Sequence, residues 1–175
     1  MERAVYIVSG MPGAGKTTVS RLLASRFERG VHIEADLVQQ MIRSGGVWPE
    51  REPHDEATRQ FRLRAQNVSL LADSFFESGF VPVIDDIVTG PRIDDYAAAV
   101  RSRPLLFVML LPRSEVIRSR DAARYKQVFD MWSDVDESLR QETRRAGLWL
   151  DTSEMTADET VDAILRDVSH ARLPG

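Results

Sequence analysis

The chain has 175 residues, a formal net charge of −4, 43 % hydrophobic and 29 % charged residues, and no cysteine. This is the composition of one ordinary globular domain, long enough to bury a core. It offers no sequence-wide case for a polyanionic partner such as DNA or an anionic membrane, and it excludes disulfides, thiolate catalysis and cysteine-based zinc sites.

His32, His54 and His170 are scattered without metal-ligand spacing. No apolar stretch approaches the length of a membrane span. Met1-Glu2-Arg3 runs straight into the first apolar run, so no secretory leader is expected and a cytoplasmic location is the default expectation.

Apolar runs alternate with helical patterns from the start, which predicts parallel βαβ units. The first expected strand is Ala4–Ser9. It leads into Gly10-Met11-Pro12-Gly13-Ala14-Gly15-Lys16-Thr17, a complete G-x-x-x-x-G-K-[ST] phosphate-binding loop. A helix with Val19, Leu22, Leu23 and Phe27 on one face follows. The glycines let the backbone curl so that N–H groups face phosphate oxygens, and the helix start adds its positive end. Lys16 is placed to reach the β- and γ-phosphates and the Thr17 hydroxyl to ligate Mg²⁺, so a nucleoside triphosphate is the expected ligand.

The second strand, Val31–Glu34, delivers Asp36 to the carboxyl edge of the sheet, where ligands of open parallel sheets bind. A carboxylate there can accept the proton of an attacking hydroxyl. Asp36 can equally cap an expected helix, Leu37–Arg43, and Glu34 is the nearby alternative base. Ser44–His54 is a loop rich in Gly and Pro, of the kind that forms lids or binding loops. In it, Trp48 either stacks on an acceptor ring or pins the loop. Arg51, Arg59, Arg62 and Arg64 either receive an anionic acceptor or form a solvated face paired with Asp55 and Glu56.

Phe61, Ala65, Val68, Leu71 and Phe75 recur at helical spacing and predict a long helix, Asp55–Ser78, stopped by Gly79. The third strand, Phe80–Asp85, ends in Asp85-Asp86, the form of a Walker-B element whose acid serves Mg²⁺. Strand alternation sends these two side chains to opposite faces, so one of them serves the metal, and the pattern leaves open which. A short helix over Pro91–Val100 and a fourth strand, Leu105–Leu111, follow.

Arg120 and Arg124 then lie four apart on one helical face, suited to planar recognition of phosphate, with Arg113, Arg118 and Lys126 as secondary candidates. After the fifth strand, Leu148–Leu150, the loop Asp151-Thr152-Ser153 is placed to border an adenine. A last helix opens on the capping box Thr156–Glu159 and buries Val161, Ile164, Leu165 and Val168.

These motifs together resemble the P-loop small-molecule kinases of the adenylate-kinase-like superfamily, and within it the chloramphenicol phosphotransferase-like group. The resemblance rests on the phosphate loop, Asp36, Ile84-Asp85-Asp86, the Arg120/Arg124 pair and Asp151-Thr152-Ser153. It implies a three-layer α/β/α P-loop NTPase fold with a five-stranded parallel sheet of order 2-3-1-4-5. Residues 1–175 would form one domain, with an acceptor-side segment at about 37–78 and an Arg-rich lid at about 113–130.

The implied activity is transfer of the γ-phosphoryl of ATP, with Mg²⁺, to a hydroxyl of a small molecule. Asp36 would be the base, with Lys16 and Arg124 on the transferring phosphate. Gly10 to Thr17, Thr18, Arg120 and Thr152 would hold the nucleotide. Thr17 and Asp85 or Asp86 would hold the metal, and Asp86, Trp48, Arg51 and Arg62 would face the acceptor.

The chain also resembles the 5′-polynucleotide kinase domain, which shares the four-residue Arg spacing. That family places an Arg three residues after its base, where this chain has Gln39, and the acidic net charge also counts against a nucleic-acid acceptor. The Gly45–Pro53 loop has no counterpart in the antibiotic-modifying enzyme, so chloramphenicol is not carried over as substrate. A regulatory ATPase without an acceptor is the other alternative. No Asn-Lys-x-Asp or Thr-Lys-x-Asp guanine-reading motif is present.

Overall fold

A computed structural model of the chain describes residues 3–47, 55–122 and 143–174. Its five strands are β1 (Val5–Gly10), β2 (Gly30–Glu34), β3 (Val81–Asp85), β4 (Leu105–Leu110) and β5 (Leu148–Leu150). They pair in parallel in the order β2-β3-β1-β4-β5, as expected. The helices among the described residues are α1 (Lys16–Ser25), α2 (Ala35–Gln39), α3 (Asp55–Glu77), α4 (Arg92–Ala99), α5 (Ser114–Ala122) and α6 (Ala157–Arg166). A 3₁₀ turn at Val168–Ala171 follows α6.

The inner strands β1, β3 and β4 are buried at every residue, while the edge strands β2 and β5 are only partly covered. Alternation divides the inner side chains between two cores. Val5, Ile7, Ile84, Leu105, Phe107 and Met109 pack with Val68 and Ala72 of α3 and Ile93 and Tyr96 of α4. Tyr6, Val8, Val83, Leu106, Val108 and Leu110 pack with Val19 and Leu23 of α1 and Val161 and Ile164 of α6. The sheet is therefore the middle of three layers. Of the helices described, none is long and apolar enough to cross a membrane.

The strand ends fall within a residue of expectation. The helix after β2 does not. It begins at Ala35 rather than Leu37 and ends at Gln39 rather than Arg43. Ala35 lies in the buried core, so the chain turns into the helix as soon as the strand ends. Past Gln39 the turn tightens, with Met41 N–H donating to Val38 O at 3.2 Å and Ile42 N–H to Gln39 O at 3.1 Å. Met41 in that turn is 70 % exposed, so it does not anchor a longer helix.

Helix α3 ends one residue before the expected boundary in a Schellman motif. Phe80 N–H donates to Phe75 O and Gly79 N–H to Phe76 O, at 3.0 and 2.9 Å, with Gly79 at φ 87°. The expected capping box is formed, Thr156 and Glu159 exchanging side-chain-to-backbone hydrogen bonds at the start of α6. Before β5, Gly147 turns the chain at φ 75° so close to β4 that a Cβ there would lie 2.3 Å from Phe107 O.

Candidate functional site

Strand β1 ends at Gly10, where a Cβ would lie 2.7 Å from Leu110 O, so only glycine lets the chain leave the sheet here. The loop then folds back on itself, with Ala14 N–H donating to Met11 O at 3.0 Å. Gly13 and Gly15 take φ 87° and 95°. Gly15 is the N-cap of α1, which has neither a side-chain cap nor an acidic residue in its first turn. Its leading N–H groups and positive dipole end are thereby left for an anion. Lys16 Nζ donates to Met11 O at 3.2 Å, which holds the ammonium over the loop.

Beside this loop stands Asp85, at the end of β3 and only 4 % exposed. It shares the sheet face of Val83 and α1. Burial pushes its carboxyl up, but His32, the Lys16 charge and the Thr17 hydroxyl more than offset this and hold it below the ordinary aspartate range. The His32 imidazole stands 3.6 Å from Asp85 Oδ2, just beyond hydrogen-bonding distance. Among the described residues no cluster of three or more His, Asp or Glu is placed to hold a metal alone. Mg²⁺ commonly binds one or two carboxylates and completes its shell with substrate phosphates and water. Asp85 and Thr17 fit that partial set.

Asp86 faces the opposite side of the sheet and is saturated. Its Oδ1 accepts from Arg64 Nη2 at 2.6 Å and from Ile87 N–H at 2.7 Å. Its Oδ2 accepts from Tyr96 OH at 2.8 Å and Arg92 Nη2 at 3.4 Å. The side chain is 1 % exposed. Burial and the Asp86 charge together raise the Tyr96 phenol well above its ordinary range, so it remains a donor. Burial pushes the Arg92 guanidinium down, with Asp86 opposing. The loop after β3 is itself pinned to β1: Ser9 Oγ donates to Val88 O at 3.2 Å and accepts from Val88 N–H at 2.9 Å.

Asp36 lies in the first turn of α2, with Glu34 as the helix N-cap, so Asp36 does not cap this helix. Its side chain is 55 % exposed and one oxygen, Oδ1, accepts from Arg64 Nη1 at 3.2 Å. Nearby, Gln60 of α3 holds the following loop, accepting from Val47 N–H and donating to Gly45 O, both at 2.8 Å.

On the other side of β1, a cleft of about 310 Å³ is lined by Gly13, Gly15, Thr18, Thr152, Met155 and Thr160, among others. It adjoins the phosphate loop. Thr152 is 2 % exposed and its hydroxyl has no hydrogen-bond partner among the described residues. Thr18 is exposed at the cleft rim. Arg113, a secondary lid candidate, pairs with Glu154 across the cleft's outer loop.

The structure thus brings together Gly10 to Thr17 with Asp85, and Asp36 with Asp86 through Arg64. It does not bring Arg62 to this group. Arg62 is exposed and stands about 200° round α3 from Arg64. Trp48, Arg51, Arg124 and Lys126 lie outside the described residues, and so does the side chain of Arg120.

Sequence reasoning grouped Arg64 with Arg51, Arg59 and Arg62, as either acceptor-facing or solvated, and overlooked Arg92, Tyr96 and His32 as parts of the site. A signal for Arg64 exists. It falls in the stripe Gln60–Arg64–Val68, spaced by four, so a charged residue interrupts the core-facing side of the helix.

The fold is similar to that of an unliganded sugar kinase from Janibacter sp. HTCC2649, at 18 % identity and TM-score 0.69 over 97 % of this chain and 96 % of that one. It is similar to the tunicamycin resistance protein of Deinococcus radiodurans, at 17 % identity and TM-score 0.67 over 99 % and 100 % of the two chains. It is also similar to Mycobacterium tuberculosis APS kinase in complex with AMPPNP and APS, at 12 % identity and TM-score 0.67 over 95 % and 98 %. At these identities the likeness is one of fold. A comparison with curated protein sequences finds no match. Residues 7–118, well over half of the chain, match the AAA domain family, and the chain belongs to that family.

Proposed function

We propose that the protein is a phosphotransferase that moves the γ-phosphoryl of ATP to a hydroxyl of a small molecule. One observation carries this reading. A phosphate-binding loop with its acid, Asp85, and a second carboxylate, Asp36, held by Arg64, stand at the carboxyl edge of one sheet. A nucleotide switch needs the first group and has no use for the second. That solved structures of the same fold include a sugar kinase and an APS kinase with AMPPNP supports the reading. The narrower likeness to the chloramphenicol phosphotransferase-like group rests on Asp36 and Ile84-Asp85-Asp86 alone.

In this reading the α1 N-terminus, Gly13, Gly15 and Lys16 bind the triphosphate, and the cleft at Thr152 takes the base. Asp85 and Thr17 hold Mg²⁺, whose charge screens the phosphate oxygens when it is bound. Asp36 orients the acceptor hydroxyl and takes its proton as the acceptor oxygen bonds to the γ-phosphorus and the bond to the β–γ bridging oxygen breaks, releasing ADP. The segment about 37–78 forms the acceptor side. The segment about 113–130, with Arg120 and Arg124, closes as a lid and excludes water. Asp86 is a buried anchor rather than a metal or acceptor ligand.

The acceptor is found by following ATP consumption against sugars, nucleosides, antibiotics and short oligonucleotides. With that acceptor, Asp36→Asn should bind ATP normally and lose transfer by about 10²–10⁴-fold. Unchanged turnover in this variant removes Asp36 from the base role. Transfer to oligonucleotides alone would establish the polynucleotide kinase reading instead.

A further inference from the structure

We propose that Arg64 is a positioning residue: anchored on buried Asp86, it fixes the orientation of the Asp36 carboxylate. The proposal rests on the reading that Asp36 receives the acceptor's proton. Asp36 opens a helix of only five residues and its side chain is 55 % exposed. Left alone, such a carboxylate samples its rotamers freely. Among the described residues one hydrogen bond holds it, Arg64 Nη1 to Oδ1 at 3.2 Å. Among the described residues Oδ2 has no such bond, so the acceptor finds one oxygen fixed and the other open.

Arg64 can act as a fixed arm because its own position is over-determined. It is 4 % exposed, and its other terminal nitrogen, Nη2, reaches Asp86 Oδ1 at 2.6 Å. Asp86 cannot turn, because Ile87 N–H, Tyr96 OH and Arg92 hold both its oxygens. The Phe61 ring lies against both cations, 4.7 Å from the Arg64 guanidinium carbon and 4.4 Å from that of Arg92. A planar fork clamped on one carboxylate carries a defined direction to the other. The Asp86 bond already neutralises the buried Arg64. A second bond, to a half-exposed carboxylate, adds little stability. Its effect is directional.

The test uses the full chain and water in place of the acceptor, measuring phosphate release from Mg·ATP. Affinity for a fluorescent ATP analogue and the melting temperature are recorded for each variant. Arg64→Lys keeps a charge against Asp86 but cannot bridge two carboxylates as the fork does. It should slow phosphate release by about 10²-fold, the cost of a misplaced catalytic group, with analogue affinity unchanged. Asp36→Asn should slow it at least as much. In the double variant Asp36→Asn/Arg64→Lys, release should be no slower than in Asp36→Asn alone, because Arg64 acts only through Asp36.

Arg64→Met/Asp86→Leu removes the buried pair together at similar volume. It should fold and show the same loss. Wild-type rates in Arg64→Lys or in Arg64→Met/Asp86→Leu overturn the proposal, and so does a double variant that multiplies the two single losses. A wild-type rate in Asp36→Asn overturns the base reading itself, and the positioning role falls with it.

Discussion

Asp86→Ala separates an anchor from a metal ligand, because the two roles predict opposite readouts. The substitution removes the acceptor of four donors at once: Arg64, Arg92, Tyr96 and the Ile87 N–H. Arg64 would remain 4 % exposed with no carboxylate inside the core and with Arg92 beside it. Removing one partner of a buried ion pair typically costs about 3–5 kcal/mol, and the unpaired Tyr96 hydroxyl and Ile87 N–H place this case at the upper end. For a chain of this size about 1 kcal/mol corresponds to about 2–4 °C, so the melting temperature should fall by about 10–20 °C. The assay is thermal melting of the nucleotide-free protein, repeated with Arg64→Met added to Asp86→Leu, a pairing that should recover the share due to the unpaired Arg64 and leave the share due to Arg92, Tyr96 and the Ile87 N–H. A fall of less than about 3 °C together with lost Mg²⁺-dependent ATP affinity would refute the anchor and return Asp86 to the metal.

Three further outcomes follow from the same structure. Thr152→Val removes a buried hydroxyl without a partner among the described residues, so the nucleotide-free protein should melt no lower than the wild type, while affinity for an ATP analogue falls by about 5–10-fold, the worth of one hydrogen bond. A lower apo melting temperature would show that the hydroxyl is already satisfied. Asp73 of α3 accepts from Arg101 N–H and Ser102 N–H, and these bonds outweigh burial to hold its carboxyl below the ordinary range. Its stabilisation should therefore be complete above about pH 4 and disappear as pH drops through the depressed native value; Asp73→Asn should flatten that acid limb in urea melts across pH. Gly147→Ala forces a left-handed residue against Phe107 O and should cost about 2–4 kcal/mol, read as a lower urea midpoint.

The inner strands were legible because strands buried on both faces leave continuous apolar runs, as in Leu105 to Leu110. The phosphate loop was legible because its glycines answer to backbone geometry. The start of α2 was not, since Ala35 and Asp36 carry no apolar period. Arg64 and Arg62 look alike in composition, and only the phase of α3 separates a 4 % exposed bridge from a solvated side chain.

Asp85 and Asp86 were separated by alternation, but the face that α1 covers depends on the hand of the β1–α1–β2 crossover, which a linear pattern does not state. Val83 and Asp85 share the α1 side, Ile84 and Asp86 the α3 side. The lid pair Arg120 and Arg124 was proposed on its four-residue spacing, its place after the phosphate loop and the fourth strand, and the family resemblance.

Strand order carries a consequence for how such a protein can change. From β1 the chain builds β2 and β3 with α2 to α4 on one flank, and β4 and β5 with α6 on the other. Asp36, Arg64, Asp86 and Arg92 all belong to the first flank, and the Thr152 cleft to the second. In the proposed reading, what is phosphorylated and what supplies the phosphate are written in separate stretches of sequence that meet along one strand. In that reading residues 35–47 and 55–100 carry the acceptor side. A transplant of this stretch between relatives that keeps Asp85, which stands against Lys16 and Thr17, would redirect the acceptor while the triphosphate cradle stays as it is.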